Sequence, residues 1–271
     1  MNYIEIPPEQ SFFFHHDIRT KNTGEEIIEK HYHNHFEIYF IEDGSCSYFI
    51  NNKAYKLQPG DIVLVPEGII HNTLYENSMH SRFLINCTRS FLPTVAIPFM
   101  HSDLFLYRNH NIKDQLYDIF CKIENEYNNP DKISEDIIRC YVHMLFFLLV
   151  RNENKYNDIY TKNDYIEQAV NFIQKNYASE ISLSATAQMF SVSPEHFSRI
   201  FKKETGFGFC EYVTLVRLQN AEMYIKQSDK ISVTKIASKC GFNDSNYFSL
   251  KFKKMYGISP KQMHKNIKTK K

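Results

Sequence analysis

Ile181-Ser182-Leu183 … Ala187 … Phe197-Ser198-Arg199-Ile200-Phe201-Lys202-Lys203 … Gly206 is followed by Ile231-Ser232-Val233 … Ala237 … Phe248-Ser249-Leu250-Lys251-Phe252-Lys253-Lys254 … Gly257. Ile181, Ser182 and Ala187 recur 50 positions on. Phe197, Ser198, Phe201, Lys202, Lys203 and Gly206 recur 51 positions on, so the second copy has one extra residue in its turn. Solenoid repeats need about three units to bury a continuous core, and two copies point instead to a duplicated module.

Each copy reads as helix-turn-helix. Ser184 and Thr234 stand as N-caps, with Ala187 and Phe190, or Ile236, Ala237 and Cys240, following at helical spacing. Ser191-Val192-Ser193-Pro194 and Gly241-Phe242-Asn243-Asp244 break those helices. Pro194 suits the first position of a second helix, where its missing N–H costs nothing, and Gly241 suits a left-handed turn. The second helices bury Phe197, Ile200 and Phe201, or Phe248 and Phe252. Their other faces carry Glu195, His196, Ser198, Arg199, Lys202 and Lys203 in copy one, and Ser245, Asn246, Tyr247, Ser249, Lys251, Lys253 and Lys254 in copy two. Arg, Asn and Ser hydrogen-bond base edges, and lysines neutralise phosphates. An ordinary helical hairpin with a solvated basic face explains one such copy more easily than two.

The stretch from about Tyr165 to Met263 resembles the DNA-binding domain of AraC/XylS-type transcription regulators. The resemblance rests on Ile166 … Ala169 … Phe172-Ile173 … Asn176-Tyr177, on Ile181-Ser182-Leu183, and on Ser193 … Phe197-Ser198-Arg199 … Phe201-Lys202 with Gly206. It continues through Arg217 … Ala221, Ile236-Ala237 … Gly241-Phe242 … Tyr247-Phe248-Ser249 … Phe252-Lys253, Gly257 and Ser259-Pro260. It implies a long helix, about Phe209 to Gln227, that sets two recognition helices into successive major grooves. Those grooves lie about 34 Å apart on one side of the duplex, near the length of roughly twenty helical residues at about 1.5 Å each. It also implies that Glu195, Ser198 and Arg199, then Ser245, Asn246, Tyr247 and Leu250, face bases, with Lys202, Lys203, Lys253 and Lys254 on phosphates. The chain departs from the family at Leu250, where Arg is usual, and at Pro260-Lys261-Gln262-Met263-His264, where the family often ends in Tyr-Arg or Phe-Arg.

The net charge of +1 hides an asymmetry. Residues 1–160 hold 14 Lys/Arg against 22 Asp/Glu, a net of −8, and residues 161–271 hold 18 against 9, a net of +9. The basic half suits a polyanion and the acidic half other work. The start lacks a signal-peptide pattern, and the longest apolar run, Met144 to Val150, is too short to span a bilayer. Six scattered cysteines without a Cys-x-x-Cys spacing read as buried free thiols of a cytoplasmic protein.

Residues 1–10 read as an arm, followed by strand-like segments from Phe12, at His31 to Ile41, Ser45 to Ile50, Ala54 to Leu57, Asp61 to Val65 and Arg82 to Cys87. Asn51-Asn52 and Pro59-Gly60-Asp61 mark turns between them. Short strands at this spacing suggest a small barrel or sandwich. On the first of them, residues 31, 33, 35 and 37 alternate onto one face. His31, His33, Glu37 and Gly44, then Gly60, Pro66, Gly68 and His71, resemble the two cupin motifs, with Tyr75 where Asn is usual. In metal-binding cupins the three histidines and the glutamate are ligands, a set suited to Fe, Mn, Ni or Zn. The AraC resemblance implies instead an effector pocket without metal, and a third reading leaves the histidines structural. Tyr39, Tyr48 and Arg82 are further polar side chains of the same region.

From about Asn111 the pattern turns helical. Ile112, Leu116, Ile119, Phe120 and Ile123 form one stripe; Ile137, Ile138, Tyr141, Leu145, Leu148 and Leu149 form a second after Ser134 as N-cap. The stripe of Ser134 to Arg151 reads both as barrel packing and as a homodimer seam. The expected architecture is α+β: a cupin-like β-barrel with flanking dimerisation helices over 1–150, a linker over 151–162 and an all-α double helix-turn-helix domain over 163–271. The expected function is a sequence-specific transcription regulator, not an enzyme, without a resident cofactor. Double-stranded DNA and a small-molecule effector, carbohydrate by family habit, are its partners, and RNA polymerase too if it is an activator. The effector-binding residues are His31, His33, Glu37, Tyr39, His71 and Arg82. The alternative is a metal-dependent cupin enzyme fused to a DNA-binding module.

Overall fold

Most of the chain up to Thr161 forms one compact unit and Lys162–Lys271 forms the body of another. The computed structural model describes residues 3–4, 11–19, 32–33, 35–50, 53–74, 79–100, 105–152, 164–228 and 230–269. The expected arm at Pro7 and Pro8, the Asn51-Asn52 turn, Tyr75, His31 and nearly all of the expected linker lie outside them.

The two larger sheets of the first unit are built from strands Phe12–Arg19 (β1), Phe36–Asp43 (β2), Cys46–Ile50 (β3), Lys53–Leu57 (β4), Ile62–Val65 (β5), His71–Leu74 (β6), His80–Cys87 (β7) and Leu106–Tyr107 (β8). They pair as a five-stranded sheet, β8-β5-β2-β7-β1, and a three-stranded sheet, β4-β3-β6. Among the described residues no pairing joins these two sheets into a closed ring. The expected strand from His31 to Ile41 is also broken: two residues at 32–33 are extended, His35 lies in a bend, and β2 starts at Phe36. The cause is local, because the His33 ring turns back to the His35 carbonyl at 2.9 Å.

Alternation along β2 and β5 divides the interior in two, as period-2 side chains must. Phe36, Ile38, Phe40, Ile62 and Leu64 point to one face and join Phe14, Phe83 and Ile85. Tyr39, Ile41, Val63 and Val65 point to the other and join Tyr48, Ile50, Tyr55 and Leu57 from the small sheet. Helices Lys113–Asn128 (α1) and Ser134–Arg151 (α2) cover the first face through Leu116, Ile119, Phe120, Ile123, Ile138, Val142, Leu145, Phe146 and Leu149. Ser134 is not the N-cap expected of it. It is the first helical residue, and its hydroxyl donates to Glu126 at 2.6 Å while accepting from the Asp131 N–H at 2.7 Å. Met144, Phe147 and Val150 stay exposed on α2. The turn at Gly60 (φ +95°) is fastened by Asp61, whose buried carboxylate takes two bonds from Arg108, at 2.7 and 2.6 Å.

The second unit contains Asp164–Asn176 (α3), Leu183–Met189 (α4), Pro194–Thr205 (α5), Phe209–Gln227 (α6), Val233–Lys239 (α7), Ser245–Tyr256 (α8) and Pro260–Thr269 (α9). The caps of α4 and α7 are Ser182 and Ser232, not Ser184 and Thr234. Their hydroxyls accept from the N–H groups of Ala185 and Lys235. Two candidate caps stand two residues apart in each copy, and the chain turns at the earlier one. Gly241 takes φ +78°, as its turn requires, and the equivalent residue of the first copy, Ser191, takes φ +57° without being glycine. Helix α6 buries Phe209, Tyr212, Val213, Leu215, Val216, Leu218, Ala221 and Ile225, which lie on more than one of its faces, and leaves Cys210 and Met223 exposed. Phe209 and Tyr212 meet Phe201 of α5 edge-on, and the Leu218 carbonyl accepts from Tyr256 of α8 at 3.3 Å. All six cysteines are free; Cys46, Cys87 and Cys240 are buried, but Cys140 and Cys210 are exposed, contrary to the expectation of buried thiols.

Candidate functional site

In the first unit, three of the expected ligand-binding side chains meet. Glu37 projects from β2 between the sheets. Its Oε2 lies 3.5 Å from His33 Nε2 and 3.8 Å from His71 Nε2, and all three residues are at most 3% exposed. Ligand atoms of the three lie within 4.8 Å of one another. The approach of His71 is set by a non-local tie: the Gly68 N–H, in the turn before β6, donates to the His33 carbonyl at 3.0 Å.

Hydrogen bonds orient each member. His33 Nδ1 donates to the His35 carbonyl at 2.9 Å and His71 Nδ1 to the Ile69 carbonyl at 2.8 Å. A carbonyl only accepts, so in each neutral ring Nε2 is the lone-pair nitrogen. Tyr48, across from β2 on β3, donates to Glu37 Oε1 at 2.8 Å. Burial, and then the adjacent carboxylate, hold the Tyr48 hydroxyl well above the usual phenol range, so it remains a donor. The His35 ring stacks on His33 with centroids 3.9 Å apart.

Tyr39 and Arg82 belong to a second polar group beside that triad. Tyr39 Oη and His80 Nε2 are hydrogen-bonded at 2.9 Å, and the Arg82 guanidinium lies 5.0 Å over the Tyr39 ring while its Nε donates to Asp17 at 2.9 Å. The two polar groups touch through the Tyr39 and Tyr48 rings, 5.2 Å apart. His35 and His80 stand beside these side chains although neither is among the residues expected to bind. Strand alternation puts His35 on the face of His33 and Glu37, and nothing local in the sequence marks His80.

In the second unit, α5 is capped by Ser193, whose hydroxyl accepts from the His196 N–H, and ends at Gly206 with φ +77°. Phe197 and Phe201 are buried; Glu195, His196, Arg199, Lys202 and Lys203 are exposed and Ser198 is half-buried. An Arg199 guanidinium nitrogen is 3.1 Å from His196 Nδ1. In α8, Asp244 caps through the N–H groups of Asn246 and Tyr247, and Gly257 (φ +74°) ends the helix. Phe248 and Phe252 are buried, Asn246, Tyr247, Leu250, Lys253 and Lys254 are exposed, and Ser245 is half-buried. Leu250, at 66% exposure, is an apolar side chain in the middle of an otherwise polar face. The lysine pairs lie in the last turns of both helices, where they also complement the helix dipole.

Residues 18–135 match the family model of the AraC-like ligand binding domain, and residues 186–266 match that of a helix-turn-helix domain. The HTH-type transcriptional activator RhaS of Escherichia coli is 25% identical over 245 residues, covering 86% of each chain. The C-terminal domain of the two-component response regulator yesN from Fusobacterium nucleatum is 32% identical over 38% of this chain and 99% of its own, with a TM-score of 0.36. ToxT from Vibrio cholerae, in a structure bound to (E)-4-(8-methylnaphthalen-1-yl)but-3-enoic acid, is 16% identical over 95% of this chain and 100% of its own, with a TM-score of 0.39.

Proposed function

The chain belongs to the AraC family of transcription regulators, and from that premise we propose that it is a sequence-specific activator whose DNA binding is set by a small molecule in its first domain. The observation that carries this reading is the pair of capped helices, α5 and α8. Each buries phenylalanines on one side and presents hydrogen-bonding and cationic side chains on the other.

In this reading Glu195, His196, Ser198 and Arg199, with Ser245, Asn246, Tyr247 and Leu250, meet base edges or the adjacent groove wall. Lys202, Lys203, Lys253 and Lys254 neutralise phosphates, and the resulting affinity falls with salt. Residues 1–150 form the sensor, 151–162 the linker and 163–271 the DNA-binding domain. The sensor is a cupin-like barrel in outline, and the effector site is built from His33, Glu37 and His71 with Tyr39, Arg82 and His31. Two chains pair through Ser134 to Arg151, using the exposed Met144, Phe147 and Val150, and RNA polymerase is the partner at the promoter. The relatives are transcription regulators, and the reading gives the chain no catalytic step. Among the described residues no helix is long and apolar enough to cross a membrane, and we place the protein in the cytoplasm with its DNA.

The mechanism is linkage. A ligand that binds one arrangement of the sensor better than another shifts the population able to hold both half-sites, by no more than its differential affinity. Fluorescence anisotropy of the full chain on DNA selected from a random pool, repeated over a sugar and metabolite panel, tests it. Specific binding whose midpoint shifts with one compound is expected. Salt-sensitive binding without sequence preference would overturn the DNA reading, and specific binding indifferent to every ligand would overturn the sensor reading.

A further inference from the structure

We propose that the two recognition helices read opposite base pairs at equivalent positions: α5 takes a G·C pair through Glu195 and Arg199, and α8 an A·T pair through Asn246 and Leu250, with the Leu250 side chain packed on the thymine C5-methyl group. The inference deepens the DNA-binding reading and rests on it.

The internal repeat fixes which residues are equivalent. Glu195 and Asn246 stand 51 positions apart, as do His196 and Tyr247, and Arg199 and Leu250. Glu195 and Asn246 are each the second residue of their helix, and Arg199 and Leu250 follow four positions on. Residues at that spacing share a face, and here it is the N-terminal end, which a helix-turn-helix presents to base edges. All six side chains are exposed.

The chemistry of the two faces differs. On α5 a carboxylate stands beside a guanidinium. Carboxylates accept from cytosine N4, and arginine donates to guanine O6 and N7, so the pair matches both partners of one G·C step. On α8 an amide takes the place of the carboxylate and an isobutyl group that of the guanidinium. Asparagine pairs with adenine N6 and N7, and thymine is the base that offers the major groove a methyl group.

A lone exposed leucine is ordinary on a protein surface. Leu250 differs in place and company. At 66% it is the most exposed large apolar side chain among the described residues. Tyr247, 47% exposed, lies one turn before it on the same face. Lys251 Nζ lies 5.2 Å over the Tyr247 ring, and Lys253 and Lys254 are exposed in the last turn. A polyanion drawn to those cations covers the apolar pair, and a thymine methyl turns that cover into burial of apolar surface. The Ser249 hydroxyl donates within its own helix, to the Ser245 carbonyl at 2.8 Å.

The test selects duplexes from a random pool with the full chain, with Leu250→Arg and with Arg199→Leu, and then measures anisotropy on the selected sites. Wild type should select guanine in one element and thymine at the equivalent position of the other. Leu250→Arg should select guanine in both, and Arg199→Leu thymine in both. Deoxyuridine in place of the thymine removes only the methyl and should weaken wild-type binding about fourfold, the worth of one buried methylene-sized group. Leu250→Ala should bind thymine and deoxyuridine duplexes alike. A motif with one base at both equivalent positions, equal wild-type affinity for both duplexes, or a deoxyuridine penalty kept in Leu250→Ala overturns the proposal and leaves the DNA-binding reading intact. Binding without sequence preference overturns both.

Discussion

His33, Glu37 and His71 are almost wholly removed from solvent, whereas Glu195, His196 and Arg199 on α5 and Asn246, Tyr247 and Leu250 on α8 all face it. In the proposed reading the two regions recognise their ligands under opposite dielectric conditions. Between the sheets few waters compete, each contact is strong, and a missing partner leaves a desolvated group behind. On the helix faces each contact is weak and screened until a partner of high charge density arrives. Substitutions in the first region should therefore be read in folding and small-ligand binding. Those in the second should be read in DNA binding, with folding nearly untouched.

The largest effect is expected at Asp61→Ala, which leaves Arg108 without the two buried bonds that fasten the strand turn. A loss of about 3–5 kcal/mol is predicted for breaking one side of a buried pair, read by urea unfolding of the full chain; a change under about 1 kcal/mol would show that solvent screens it. Next is Gly241→Ala. A Cβ there meets the Tyr177 carbonyl oxygen at 2.6 Å in a backbone of φ +78°, so about 2–3 kcal/mol should be lost. Its counterpart Ser191→Gly should stay within about 0.5 kcal/mol of wild type, because relief of left-handed strain is offset by glycine's freedom when unfolded. Equal effects at both positions would erase the distinction between the two turns.

Arg199→Ala sharpens the contrast from the exposed side. Specific DNA affinity should fall by about 1–3 kcal/mol, with preference relaxed at one base position and unfolding midpoints unchanged. Equal loss on every sequence would assign the side chain to a phosphate instead. The smallest effect belongs to His16, whose two ring nitrogens are each 2.8 Å from a carboxylate, Glu124 and Glu42. Burial alone lowers its pKa, but the hydrogen bonds to Glu42 and Glu124 outweigh this and raise it above 6.5. The stability it contributes is full below its unfolded pKa and fades as pH rises through the higher folded value. Burial alone raises the pKa of Glu42, but bonds from Ser81, His16 and Tyr117 lower it overall. That carboxylate's contribution is therefore present above its unfolded pKa and lost as pH falls through the folded one. His16→Gln should flatten the alkaline decline, by at most about 1 kcal/mol for so solvated a group, in denaturation midpoints taken between about pH 5 and 8.

The same contrast governs what was legible in the amino-acid order. The helical unit repeats itself, so two copies of Phe, Lys-Lys and Gly mark the α5 and α8 faces, and α6 runs over the residues expected for it, Phe209–Gln227. Only the caps slipped, where Ser182 and Ser184 compete for one role. In the sensor, strand alternation put Glu37 on one face with His33, and the resemblance to the cupin motifs added His71. The bonds that hold these residues run between distant positions, Tyr48 to Glu37 across the sheets and Gly68 to His33 across a turn, and Arg108 to Asp61, over 47 positions, fastens the Gly60 turn in the same non-local way. No periodicity within one strand encodes such contacts. The strand pairing, which among the described residues closes no ring, is non-local in the same way.

Selection of duplexes from a random pool by the full chain, beside Arg199→Ala and Asn246→Ala, bears most directly on whether this is a two-headed reader of DNA. The expected result is a motif of two elements about one helical turn apart, with each variant losing preference in a different element. An unenriched pool, or both variants losing preference at the same positions, would contradict it.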